Sequence, residues 1–186
     1  MFYISGFDDS SRLWKVIDTD DNVEDAFSFK SLKDFIHQGI KIYGVDETYC
    51  NKCVIVDSII FIPDIKNNTL VIKSIINDKT LDTLNFSSIP NKRNTVWFNG
   101  NIEVKKKNHD IVVQCGVCVK YDFEFTGLYV IKVNSNGNIT ARLDDVLFVC
   151  DDAHEAHRMI SNTGNDCPNF ITSVKAHNIL KAKGII

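Results

Sequence analysis

No apolar run in the chain approaches the ~18 to 20 residues that a membrane-spanning helix needs. The first twelve residues hold neither a basic cluster nor an apolar stretch of the kind that export signals carry. A soluble, unexported, cytoplasmic protein is the expectation. Phosphate-cradling glycine loops are missing, since neither GxGxxG nor GxxxxGK[ST] occurs, and GxSxG and HExxH are absent too. Dinucleotide folds, P-loop enzymes, nucleophile-elbow hydrolases and zincin proteases therefore lack their signatures. Strong charge of one sign is also wanting. Lysine and arginine total 21 against 24 aspartates and glutamates, a net charge of −3 that offers no polyanion footprint. Arginine is scarce, with four against seventeen lysines, and isoleucine (23) and asparagine (18) are abundant, which is the imprint of AT-rich coding. There is no internal repeat and no low-complexity tract.

What is present is the composition of an ordinary globular chain. The 186 residues are 44% hydrophobic and 24% charged, enough for one domain or two small ones. Phe2 to Phe7 and Arg12 to Asp18 read as a hairpin joined through Asp8 to Ser11, and a short strand is expected near Ala26 to Phe29. Ser31 is placed to cap a helix, with Asp34 near its positive end and Gly39 at its left-handed close, and Ile40 to Val45 resumes as a strand. Cys53 to Ile62 is β-branched and reads as one buried strand, followed after a turn by Thr69 to Ile76. Asn99-Gly100, between two apolar segments, predicts a two-residue hairpin turn. Asp110 to Phe125, Leu128 to Val133 and Ile139 to Val149 add strands, with a turn at Asn134 to Gly137. Residues 151–161 and Phe170 to Lys183 read as helices. The expected class is α+β: a mainly antiparallel sheet with a short N-terminal helix and two C-terminal helices. The expected division is 1–76, a loop or linker at 77–94, and 95–186, which is compatible with one continuous domain.

Six cysteines without an export signal point to a reducing compartment and free thiols. Cys50/Cys53 and Cys115/Cys118 form two CxxC pairs, and four thiolates from such turns can hold zinc. Strand alternation places Cys115 and Cys118 on opposite faces, so that only a bulge at Gly116 would let both reach one ion. No cofactor is the leading expectation, with zinc the alternative. His154 and His157 lie one helical turn apart and can share a metal in a metal-dependent hydrolase, but two aspartates at a helix start followed by solvated histidines explain the same pattern. Asp18 to Glu24 resembles a calcium loop in spacing yet lacks its turn glycine. Lys105, Lys106 and Lys107 form the one basic run of the chain's second half and would serve a direct nucleic-acid contact, though a solvated strand face explains them equally. Against these stands an acidic patch. Between Met1 and Lys30 seven acids face three bases, with Asp18, Asp20, Asp21, Glu24 and Asp25 close together.

The segment Trp14 to Asp25 (WKVIDTDDNVED), followed by the helix and then Gly39 to Val45 (GIKIYGV), resembles a stretch in small uncharacterised proteins of phages and mobile elements from AT-rich Gram-positive bacteria. It spans about the first quarter of the chain. The resemblance implies a setting in which small acidic proteins without catalytic motifs inhibit host defence systems, anti-CRISPR proteins among them. The leading expectation is therefore a non-enzymatic interaction protein of the host bacterial cytoplasm. It would bind a host protein, such as a CRISPR nuclease, through Asp18, Asp20, Asp21, Glu24 and Asp25. A metal-binding module and a direct nucleic-acid binder are the alternatives.

Overall fold

A computed structural model describes residues 1–90, 96–120, 124–157 and 170–186. The backbone is mostly strand, arranged in several largely antiparallel sheets with few helices. It divides into two compact units, Met1–Leu84 and Asn85–Ile186.

In the first unit, β1 (Phe2–Asp8), β2 (Leu13–Asp18) and β3 (Val23–Phe27) are antiparallel neighbours, and β4 (Ile42–Tyr43) joins β1 in parallel, giving the order β3-β2-β1-β4. The register Ile4↔Val16 and Trp14↔Phe27 puts these side chains on one face. Helix α1 (Phe29–His37) closes that face: Leu32 is fully buried against Ile4, Val16 and Ile42, and Phe35 meets Phe27 edge to face at 5.2 Å. The cap is Ser28, not Ser31. Ser31 N–H donates to Ser28 Oγ at 3.1 Å, so the helix begins three residues earlier than expected and Asp34 lies past its first turn. Gly39 closes the helix as its position implies, donating to Ile36 O.

The expected single strand at Cys53 to Ile62 is in fact a hairpin. β5 (Val54–Val56) and β6 (Ile59–Asp64) pair as Val56↔Ile59 across a turn in which Asp57 takes φ +53°. β7 (Thr69–Ser74) and β8 (Thr80–Asn85) complete the order β5-β6-β7-β8. Ile60, Phe61, Leu70, Ile72 and Leu84 are among its buried side chains. The stretch 77–94, expected as a loop, thus contains β8 and a 3₁₀ turn at Phe86–Ser88, and the boundary between the units falls within it; residues 91–95 lie outside the described ones. The β7–β8 turn is tied to β4 by one carboxylate. Asp78 accepts from Lys41 Nζ at 2.5 Å, from Lys73 Nζ at 2.6 Å and from the Tyr43 hydroxyl, and both ammonium groups lie over the Tyr43 ring.

In the second unit, β9 (Val96–Lys107), β10 (Asp110–Lys120), β11 (Glu124–Asn134) and β12 (Ile139–Arg142) form a meander in the order β12-β11-β10-β9. Between β10 and β11 the register is unbroken from Asp110↔Asn134 to Lys120↔Glu124. Ile111, Val113, Cys115, Val117 and Val119 share its buried face, where Phe86 stacks on Phe98 at 4.4 Å. The Asn99-Gly100 hairpin is not formed. Gly100 has the expected left-handed backbone (φ +84°), but β9 runs straight past it, and Cys115↔Ile102 gives way to Val117↔Phe98. Two extra residues on β9 oppose Gly116, so the left-handed glycine makes a bulge. The real reversal is at Asn108 and His109, with Asn108 at φ +56° and Lys107 paired to Asp110.

Expected strand 139–149 breaks after Arg142 and resumes as β13 (Phe148–Val149), which pairs in parallel with β14 (Phe170–Ile171). Of the expected helix 151–161, residues 153–157 are helical and 158–161 lie outside the described residues. The last helix, α2 (Ser173–Ala182), starts later than expected, because Phe170 and Ile171 are strand and Thr172 is the cap. Among the described residues no helix is long and apolar enough to cross a membrane.

Two consequences are measurable. A methyl group on Gly127 would stand 2.2 Å from Val146 Cγ1 and 3.0 Å from Phe148 Cε1, both buried. Gly127→Ala should therefore cost about 1–3 kcal/mol in urea unfolding. Gly6→Ala, which meets nothing within 4 Å, should stay within about 0.5 kcal/mol. Equal losses would refute the packing argument. For Asp78, hydrogen bonds from Lys41, Lys73 and Tyr43 hold the carboxyl well below its usual range. A depressed folded-state pKa means that its contribution is complete above the unfolded value of 3.8 and disappears as pH falls through the folded value. With half its side chain exposed, that contribution is less than about 1 kcal/mol. Wild type and Asp78→Asn should differ by a constant amount from pH 7 to pH 5 and converge only in strong acid. Convergence already at pH 5 would show that the lysine pairing does not act on Asp78.

Candidate functional site

The acidic residues read from the sequence gather on the β2–β3 hairpin, and the register separates their roles. Val16↔Asp25 places Asp25 on the same face as the helix-covered side chains, at its margin, while Ile17↔Glu24 turns Glu24 to the opposite face. Asp20 and Asp21 occupy the turn, which closes through Asn22 at φ +53°. Asp20, Asp21, Glu24 and Asp25 are exposed, and β3 is an edge strand of its sheet.

Cations already meet three of the five carboxylates. Because Phe2 pairs with Asp18, the Met1 ammonium comes to lie at the end of β2, 3.1 Å from Asp18 Oδ1 and 3.0 Å from Asp20 Oδ2. Lys15 Nζ stands 3.2 Å from Glu24 Oε1, and Ser5 Oγ donates to Glu24 Oε2 at 3.1 Å. Asp18 is the most enclosed of the set, at 21% exposure against 79% for Asp20. The Asp20 backbone N–H and the Met1 ammonium hold the Asp18 carboxyl below its ordinary value. Asp18 therefore ties the chain's first residue to the hairpin, and Asp20, Asp21 and Asp25 are the carboxylates most open to an incoming group.

The cysteine pairs fall in separate units. Cys50 and Cys53 are buried in the first unit, where Cys50 belongs to the α1 core and Cys53 N–H donates to Ile4 O at 2.8 Å. In the second unit Cys115 pairs with Tyr129 on the buried face, and Cys118 pairs with Thr126 on the other. The bulge opposite Gly116 sits in β9, so alternation along β10 is unbroken and the two sulfurs stay on opposite faces. Burial pushes the Cys50 thiol up to about 12 and drives Cys53 and Cys115 upward as well. His154 and His157 are exposed on the helical stretch that Asp152 caps by accepting from the N–H groups of His154 (2.8 Å) and Glu155 (3.1 Å). Among the described residues no three His, Cys, Asp or Glu side chains group as metal ligands. Lys105, Lys106 and Lys107 end the edge strand β9, exposed, with Lys105 2.9 Å from Glu103.

An open cleft of about 460 Å³ on the second unit's sheet corresponds to no motif in the sequence. It lies over Gly116 and is bordered by Gln114, Thr126, Leu128 and Asn101 of the bulge. Trp97 lies on that side of the sheet, paired with Cys118 and 48% exposed. The signal that could have found it is Asn99-Gly100 itself, had it been read as a bulge that bends the strand away. Compared with protein-family models, with curated proteins and with solved structures, the chain matches none.

Thiol chemistry checks this picture of the cysteines. With iodoacetamide at pH 8, peptides carrying Cys53 and Cys115 should stay unmodified in the folded protein and react fully in denaturant, whereas the half-buried Cys118 and Cys150 should be modified without denaturant. Native-state alkylation of Cys115 as fast as Cys118 would refute the burial described here.

Proposed function

We propose that the chain is a non-enzymatic interaction protein of the kind that phages and mobile elements direct against host defence effectors such as CRISPR nucleases, and that the β2–β3 hairpin is its contact surface. One observation carries the reading: Asp20, Asp21 and Asp25 stand exposed together at the tip and outer strand of a hairpin. An edge of this sort presents negative charge to a partner before contact, over the ~8 Å at which salt leaves charges unscreened. Effectors that hold guide RNA or target DNA line their channels with lysine and arginine, and a carboxylate-bearing hairpin competes for the same groups as phosphate does. Asp18 and Glu24 serve the surface differently, fixing the hairpin to Met1, Ser5 and Lys15 so that the outer carboxylates are held in place.

The experiment is capture of a partner from nuclease-treated host lysate by the wild-type chain and by an Asp20→Lys, Asp21→Lys, Asp25→Lys variant. All three positions are exposed, so thermal stability should change by no more than about 0.5 kcal/mol per site. The wild type should retain a basic protein whose binding weakens steeply with salt. The variant should lose it and show a flattened salt dependence. Capture of the same partner with the same salt slope by the variant would remove the hairpin from the interface, and loss of wild-type capture on nuclease treatment would replace the protein partner by a nucleic acid.

A further inference from the structure

The loop after β4 builds a second feature within the first unit. Gly44 takes φ +87°, Asn51 N–H donates to Gly44 O at 2.6 Å, and Val45 bridges to Cys50, so the chain doubles back on itself. Asp46 holds the tip: its Oδ1 accepts from Thr48 N–H (2.6 Å), Thr48 Oγ1 (2.8 Å) and Tyr49 N–H (2.9 Å). At the other end of Tyr49 the phenol donates to Asp64 Oδ1 at 3.4 Å and accepts from the Lys66 N–H. One carboxylate therefore flanks the tyrosine at its backbone and another at its hydroxyl. Burial pushes the phenol up to about 12, so it remains a donor at neutral pH.

A cleft of about 170 Å³ opens beside this tyrosine, with Ile62, Pro63 and Val71 as its apolar wall. That is well under the ~300 Å³ at which drug-sized ligand sites begin, which leaves room for one side chain or a small ion. Asp46, Asp64 and Asn51 line it, and no lysine, arginine or histidine does. Asn51 is the second observation. It is only 7% exposed, its backbone groups are engaged by Gly44 and Cys53, and its carboxamide makes no hydrogen bond among the described residues. Since no side-chain nitrogen or oxygen among them is both sealed from solvent and unpartnered, this amide keeps some solvent access, and Asn51 is part of the cleft's lining. An amide with so little access to water gains from a partner group supplied inside the cleft.

We propose that this cleft receives the guanidinium group of an arginine side chain from a partner protein. Two carboxylates set apart along a tyrosine call for a cation with donors spread over a plane, which a guanidinium has and an ammonium, a point charge with three donors, does not. The apolar wall suits the methylene stem, the tyrosine ring suits the flat face of the cation, and the Asn51 oxygen accepts a remaining N–H. A bare metal ion is the poorer occupant, because the site offers two carboxylates and no third anionic ligand among the described residues. The inference rests on the chain being a binding protein only for the source of the arginine; the cleft's chemistry is independent of the hairpin.

The test is a titration of the full ¹⁵N-labelled chain with N-acetyl-arginine amide, followed by NMR, with N-acetyl-lysine amide and sodium chloride at matched ionic strength as separate arms. The arginine derivative should shift the amides of Tyr49, Asn51 and Val71 saturably and bind several-fold more tightly than the lysine derivative. Asp64→Asn, close to isosteric, should weaken it about tenfold or more. Val71→Phe, which narrows the cleft without touching a polar group, should abolish it while the spectrum of the rest of the unit is retained. Equal shifts from the lysine derivative or from salt, or unaltered binding by both variants, would overturn the proposal. The titration needs no partner, so its failure would leave the hairpin reading standing, and loss of partner capture by the hairpin variant with arginine binding intact would remove that reading alone.

Discussion

Every described reversal between successive antiparallel strands of this protein passes through a backbone with positive φ. The residues are Arg12, Asn22, Asp57, Asn68, Asp78, Asn108 and Gly137. For an ordinary L-residue the left-handed region costs ~1–2 kcal/mol, which asparagine and aspartate soften by hydrogen bonding locally through a short side chain. Five of these seven positions are asparagine or aspartate. The asparagine-rich composition thus does the work that glycine does in other small β proteins. Strand register follows from these turns, and a slip of one residue would exchange the two faces of a sheet. The placement of Asp25 and Glu24 on different faces, the burial of Cys115 and the meeting of Lys41 and Lys73 at Asp78 all inherit their geometry from them.

Carboxylates divide between two tasks. Asp8, Asp46, Asp64 and Asp152 accept backbone N–H groups in turns or at a helix start, and Asp78 gathers two lysines and a tyrosine. In the turn after β1, hydrogen bonds from Ser10 and Ser11 hold the Asp8 carboxyl at about 2. Others, such as Asp20, Asp21 and Asp25, stand in solvent. Net charge says nothing of this division, because carboxylates engaged within the fold and carboxylates standing in solvent shape differently the field that an approaching molecule meets.

Much of the strand pattern was legible because period-two alternation and turn residues are local properties. The errors share a physical cause. Of the two turn residues only Gly100 is left-handed, and whether such a glycine reverses the chain or bulges it depends on which strand pairs across it; β10 pairs on both sides. Asp57 falls inside the β-branched run that reads as one strand, and its conversion to a turn is decided by Phe61 and Ile60 folding back onto Val54 and Ile55. Ser28 and Ser31 are both competent caps. The burial of Phe29 and Leu32 against the sheet selects the earlier one. Exposure of the acidic run was legible, whereas its pairing with Met1 and Lys15 arises only once β1 lies against β2. Neither cleft has a linear motif, since each is assembled from separate strands and a folded-back loop.

The sheet edges carry a further consequence. β3 and β9 each stand at the end of the strand order of their sheets, and each bears charge of one sign on part of its length, carboxylates at Glu24 and Asp25 and ammonium groups at Lys105 to Lys107. Two copies meeting β3 to β3, or lysine run to lysine run, would place like charges beside one another and lose the gain from new ladder hydrogen bonds. Edge-to-edge growth would therefore have to begin at a strand edge that carries neither guard.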